Sequence, residues 1–209
     1  MSALACIRRS VAYAGQPPYA PMGNRPDCLN NATMTRSYSP ASIALHWLMA
    51  IALMAQLALG FWMVDLPKEP PGLRAGWFNW HKSIGMVLGL LVLLRLWVRW
   101  RSGSPGWPAT LPRWQQRAAE ATHGLLYLCM VTLPLSGLAG SSFSPYPVRF
   151  FGLALPRWTE PWPQAKAWCS TVHEASATVM LAILALHVAA ALWHLLRGDG
   201  IGRRMHLPR

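Results

Sequence analysis

The chain has 209 residues, of which 53% are apolar and only 12% charged, against about 25% charged in an average soluble domain. Its formal net charge is +12, yet the arginines bracket apolar runs instead of gathering on one soluble face, which argues against nucleic-acid binding and for a membrane protein. The mean hydropathy is only +0.23, because proline-rich and arginine-rich connections dilute four strongly apolar blocks at residues 42–64, 77–98, 119–140 and 170–196.

Each block approaches the roughly 20 residues a spanning helix needs, and helices are the spanning form that satisfies every backbone group at this segment length. The expected fold is all-α, an integral membrane four-helix bundle. Thirteen basic residues fall on the tails and the second connection, and six fall on the opposite side, among them Lys68, Arg74, Lys82, Arg149, Arg157 and Lys166. By the positive-inside rule both termini are then cytoplasmic in a multi-pass protein that contacts membrane lipid.

In chain order, residues 1–34 are rich in Pro, Gly and Asn and carry an Arg8-Arg9 pair without the apolar stretch of an export signal. They read as a disordered cytoplasmic tail or as a translation start assigned too early, ahead of a domain at 35–209. The first span opens on a Ser39-Pro40 turn and N-cap signal and places His46 one turn inside its cytoplasmic end. The second places His81 one turn inside the outer end and carries Gly85 and Gly89, a small-residue pattern that lets a helix or a flat ligand come close. Arg95 and Arg99 follow near the cytoplasmic end. The third span starts with Thr122 and His123 and contains Pro134, and the long connection after it is rich in interfacial aromatics, with short amphipathic pieces expected over the outer face.

The last block carries His173, His187 and His194. At about 100° per residue, fourteen steps bring His187 within about 40° of His173 and seven more add about 20°, so the three imidazoles share a stripe. His173 and His187 are about 21 Å apart along the axis, most of a hydrocarbon core about 30 Å thick. His46 lies at the depth of His187, and His81 at the depth of His173. A single histidine near a helix end can simply bond a neighbouring backbone group, but six of seven in or beside spans point to ligands, since ionisable groups there are costly. Paired neutral imidazoles suit a haem iron with both axial positions filled, which favours electron transfer. Zinc is the alternative metal, and no carboxylate or thiolate completes a tetrahedral set at these depths. Depth pairs His46 with His187 and His81 with His173, leaving His194 and His123 for other roles. Cys6, Cys28, Cys129 and Cys169 form no C-x-x-C-H, so a haem here is non-covalent.

The segments SIALHWLMA, HKSIGMVLGLLVLLRLWVR, HGLLYLCMVTLPLSG and VHEASATVMLAILALHVAAALWHLLRGDGIGRRMHLPR resemble the bacterial cytochrome b561 family over residues 35–209. The resemblance implies a dihaem b-type cytochrome of the inner membrane that passes electrons between ubiquinone and a donor at the periplasmic face. In the best-known type the donor is superoxide, oxidised to oxygen. It implies His46, His81, His173 and His187 as haem-iron ligands and places His194 near the quinone. Thr122, His123, Arg95 and Arg99 are candidates for contacts with propionates or quinone oxygens, and the outer basic residues for steering an anion. Two other functions compete: a cytochrome b subunit or anchor exchanging electrons with a periplasmic redox protein, and a haem-free transporter or scaffold.

Overall fold

A computed structural model describes residues 38–69, 72–103, 106–107 and 111–201. The expectation for residues 1–34 lies outside them. Four helices dominate: α1 (Pro40–Val64), α2 (Leu73–Ser102), α3 (Arg113–Ser142) and α4 (Pro163–Arg197). Between α3 and α4 lie two short strands, β1 (Arg149–Phe150) and β2 (Leu153–Ala154). All four helices are long and apolar enough to cross a membrane, and α2, α3 and α4 extend past their apolar blocks at both ends. The protein is therefore an all-α integral membrane bundle.

Local chemistry sets the helix ends. Ser39 caps α1, its Oγ accepting from the Ser42 N–H at 3.2 Å, and Pro40 fits the first turn, where no N–H is needed. Gly198 ends α4 in the left-handed region, at φ 68°. Many large apolar side chains face outward, Leu90 at 68% exposure and Leu196 at 85% among them. Such a surface fits lipid, not water.

α1 packs on α2, α2 on α3 and α3 on α4, while no comparable backbone contact joins α1 to α4 among the described residues. The four helices meet at a narrow waist. Met49 of α1, Val92 of α2, Leu126, Cys129 and Met130 of α3 and Met180 of α4 form its buried cluster. Met180 lies seven residues from both His173 and His187, so the waist separates the two levels at which the histidines gather. Gly89 lets the Pro134 ring close: a Cβ at Gly89 would lie 3.1 Å from Pro134. α3 runs on as one helix through that proline.

The ends of the bundle differ. At one, β1 and β2 form an antiparallel hairpin pairing Arg149 with Ala154 and Phe150 with Leu153. Its turn holds Phe151 at φ 47° and Gly152 at φ 91°, both in the left-handed region that a tight hairpin turn demands. Ser83 of α2 pins this hairpin, its Oγ accepting from the Phe151 N–H at 2.8 Å and donating to Asn79 O at 2.8 Å. The amphipathic piece in this connection is thus a hairpin. The other end carries Arg95, Arg99 and the C-terminus of α4. These are the hairpin end and the arginine end.

Candidate functional site

At the hairpin end His81 of α2 faces His173 of α4, with ring centroids 6.1 Å apart. At the arginine end His46 of α1 faces His187 of α4 at 6.4 Å. Two imidazoles bound to opposite sides of one metal ion, with metal–nitrogen bonds of about 2.0–2.1 Å, have centroids about 6.3 Å apart. Both pairs fit that separation. Both also bridge α4 to α1 and α2, the side of the bundle with the least backbone contact. Among the described residues no cluster of three or more His, Cys, Asp or Glu side chains is arranged to hold a metal by itself. A pair of imidazoles here suits an ion whose remaining ligands arrive with it, as in a haem.

The hairpin-end rings sit in spaces kept open by glycine. A Cβ at Gly137 of α3 would lie 3.0 Å from His173 Cε1, and one at Gly60 of α1 would lie 3.1 Å from His81 Cε1. Contacts that tight are rare, and a side chain at either position would push the imidazole back by a few tenths of an ångström. His173 is also oriented by hydrogen bonds: its Nδ1–H donates to Leu133 O at 2.9 Å, with Ser136 Oγ at 3.2 Å. A proton fixed on Nδ1 leaves the Nε2 lone pair free, the arrangement of metal-binding histidines. His81 Nδ1 is buried with no hydrogen-bond partner. Beside it, Gln56 Nε2 of α1 donates to His81 O at 2.6 Å while Gln56 Oε1 is buried and unpartnered.

The arginine end is assembled differently. Arg95 Nη2 lies 3.0 Å from His46 Nδ1. A guanidinium only donates, so in this contact Nδ1 accepts and the proton of a neutral imidazole sits on Nε2. Binding a metal through Nε2 requires the opposite tautomer, which this Arg95 contact does not allow. His123 stands beside His187, with centroids 5.3 Å apart. The sequence leaves His123 without a partner; the structure brings it into a group of three. Arg99 stacks over Tyr127 at 5.6 Å. His194 stands apart from that group, its Nδ1–H donating to Asp199 Oδ2 at 2.5 Å while Asp199 Oδ1 accepts from the Ile201 N–H at 3.0 Å.

Four residues that shape these sites escaped the sequence reading. Gln56 had a signal, as an amide in the middle of an apolar span. Gly60 and Gly137 had a weaker one, and Ser136 had none, since a serine on a spanning helix commonly bonds its own helix, as Ser136 also does to Thr132 O at 2.7 Å.

The family model for the prokaryotic cytochrome b561 matches residues 37–206. Relatives include a cytochrome b561 homolog 1 from Escherichia coli, 27% identical over 168 residues, covering 75% of this chain and 89% of the relative. A cytochrome b561 homolog 2 from the same organism is 37% identical over 122 residues, 55% of this chain and 61% of the relative. A probable superoxide oxidase CybB from Yersinia pestis is 24% identical over 167 residues, 77% of this chain and 90% of the relative. With four membrane-spanning helices and a match along most of its length, the chain belongs to the prokaryotic cytochrome b561 family, membrane oxidoreductases that carry electrons across the bilayer on b-type haem.

Proposed function

We propose that residues 35–209 form a dihaem domain that oxidises superoxide at the hairpin end, facing the periplasm of a bacterial inner membrane, and reduces ubiquinone at the arginine end. The observation that carries this reading is the pairing of two histidines of one helix, α4, with His81 and His46 of the helices opposite, on either side of an apolar waist. His81 and His173 hold one haem, and His46 and His187 the other. When bound, each haem would supply a one-electron ferric/ferrous couple. Two superoxide anions each give up one electron and become dioxygen, while one ubiquinone takes two electrons and two cytoplasmic protons.

The chain's own residues do the rest. The glycine-flanked rings of His81 and His173 are held in place before any ligand arrives, which lowers the entropic cost of binding. The waist of Met49, Val92, Leu126, Met130 and Met180 keeps water from the path between the levels. At the hairpin end Lys82, half-buried, and Lys166, exposed, lie close enough to repel each other and form an attractive locus for an anion. Arg74 and Arg157 contribute less as free charges, since their guanidiniums donate to Leu66 O at 3.2 Å and Pro145 O at 2.7 Å. At the other end His194, with Asp199 behind it, is placed to pass protons to quinone from the cytoplasmic surface. The start of α1 and the end of α4 both lie at this end, and the excess of arginine there assigns it to the cytoplasm on this reading.

One observation favours a second reading, a cytochrome subunit that exchanges electrons with a periplasmic redox protein. The pinned hairpin end exposes Tyr146 at 74%, Leu153 at 68% and Phe151 at 49%, an aromatic surface suited to docking. Purified protein separates the two. Its haem spectrum and haem content are recorded, and superoxide is then generated with and without ubiquinone. Rapid haem reduction followed by quinone-dependent reoxidation is expected. Two haems that stay oxidised under a superoxide flux overturn the oxidase reading in favour of the subunit.

A further inference from the structure

Gln56 is the one amide in the apolar run of α1, and its side chain is fixed at one end. Its nitrogen donates to His81 O at 2.6 Å. A backbone carbonyl only accepts, so the group pointing at it must be the NH2, and the amide oxygen faces the other way. That oxygen is buried and unpartnered, and so is Nδ1 of the same histidine. An orphaned acceptor and an orphaned ring nitrogen, tied to one residue, are each costly in a membrane interior.

Two glycines make this meeting possible. Gly60 follows Gln56 by one helical turn on the same face of α1, and its missing side chain admits the His81 ring. Gly85 of α2 follows His81 by one turn, and a Cβ there would lie 3.4 Å from Gln56 Nε2. The G-x-x-x-G of α2 is therefore shared between two guests, Gln56 at Gly85 and Pro134 at Gly89. Across the bundle, Gly137 admits His173 in the same way, and there Nδ1 has its acceptor in Leu133 O.

We propose that Gln56 is the positioning residue of His81. Its Oε1 accepts the Nδ1–H proton, directly or through one water, and so holds the tautomer in which Nε2 is free for iron. This rests on the reading of His81 as an axial ligand. An acceptor on Nδ1–H makes the imidazole a stronger donor and favours the ferric state, so Gln56 tunes the potential of one haem and not the other.

The test uses holoprotein carrying Gln56→Met, which keeps the volume and removes the acceptor, and Gln56→Glu, which keeps an acceptor oxygen. Optical redox titration and low-spin ferric EPR are read on each. In Gln56→Met one haem should become easier to reduce by about tenfold in its equilibrium, about 59 mV for one electron, with a changed EPR signal and the second haem unmoved. Gln56→Glu should leave that haem at or below the wild-type potential. A side chain that only fills space would leave Gln56→Met within about twofold of wild type, which overturns the proposal, as does an upward shift in both variants. If the Met variant does not accumulate, an upward shift in Gln56→Glu alone overturns it. His81→Ala separates this from the reading beneath it. Retention of both haems in His81→Ala sinks the axial ligand itself, whereas loss of one haem there with a silent Gln56→Met sinks only the role of Gln56.

Discussion

The hairpin end and the arginine end both offer α4 histidines to the helices opposite, but they hold their rings by different means. His81 and His173 stand against glycines, and at least one of them has its tautomer set by a backbone carbonyl. His46, His123 and His187 crowd one another, and the polar partner of His46 is a flexible, charged Arg95 in a contact incompatible with metal binding through Nε2. Preorganisation belongs to the hairpin end and redundancy to the arginine end. On the proposed function, the end that accepts a small fast donor gains from fixed rings, and the end that exchanges protons and a bulky ring gains from side chains that can move.

The largest effect that tests this contrast comes from the histidines. On the dihaem reading, His173→Ala should remove one of two haem equivalents outright, because among the described residues no other imidazole pairs with His81. His46→Ala should lose less, because the His123 ring is already 5.3 Å from His187, and the double variant His46→Ala/His123→Ala should lose the full equivalent. Haem content per protein, measured on purified variants, decides it. Equal losses in His46→Ala and the double variant would break the idea of redundancy.

A smaller effect is expected at the glycines. Gly137→Ala and Gly60→Ala would each drive a methyl group to within 3.0–3.1 Å of an imidazole, and haem affinity at that end should fall by about tenfold. Gly124, beside His123, has nothing within 4 Å of its missing side chain. There alanine should leave haem binding intact and add about 0.5–1 kcal/mol of helix stability. Haem titration and thermal unfolding of the three variants check both halves. An insensitive Gly137 would remove the steric basis for calling the hairpin end preorganised.

Much of this architecture is legible in the sequence, because spans and a histidine stripe obey simple periodicities. His173, His187 and His194 fall on one face of any α-helix, and the depths of His46 and His81 follow from counting residues into their spans. What escapes is set by rotation between helices. Whether His123 points at His187 or at lipid depends on how α3 turns about its own axis, which no spacing within α3 reveals. Gln56 looks like an isolated oddity until Gly60 and Gly85 bring its amide to His81. The hairpin hides because its turn uses Phe151 at φ 47°, a conformation for which a bulky aromatic gives no local signal. Ser83, 1% exposed between α2 and that turn, supplies the long-range hydrogen bond in place of local preference.

The smallest effect concerns His194, which the structure sets apart from the three crowded rings. Desolvation is the largest single influence on the Asp199 carboxyl and raises it, but the hydrogen bonds from His194 and from the Ile201 N–H, with the nearby charges of His194 and Arg197, together outweigh it and hold the group below the usual carboxylate range. A carboxylate whose folded value is depressed stabilises the fold above its unfolded value, about 3.9, and loses that contribution as the pH falls through the folded value. Asp199 is largely solvated, so screening limits the contribution to well under about 1 kcal/mol. Asp199→Asn should therefore unfold slightly earlier than wild type at pH 7, and the gap should close as the pH falls through the depressed folded value of the carboxyl and shrink in high salt. The haem potentials should not move, because Asp199 touches His194 and neither His46 nor His187. A shift in the arginine-end haem on this substitution would join His194 to the histidine group and dissolve the separation between holding iron and handling protons.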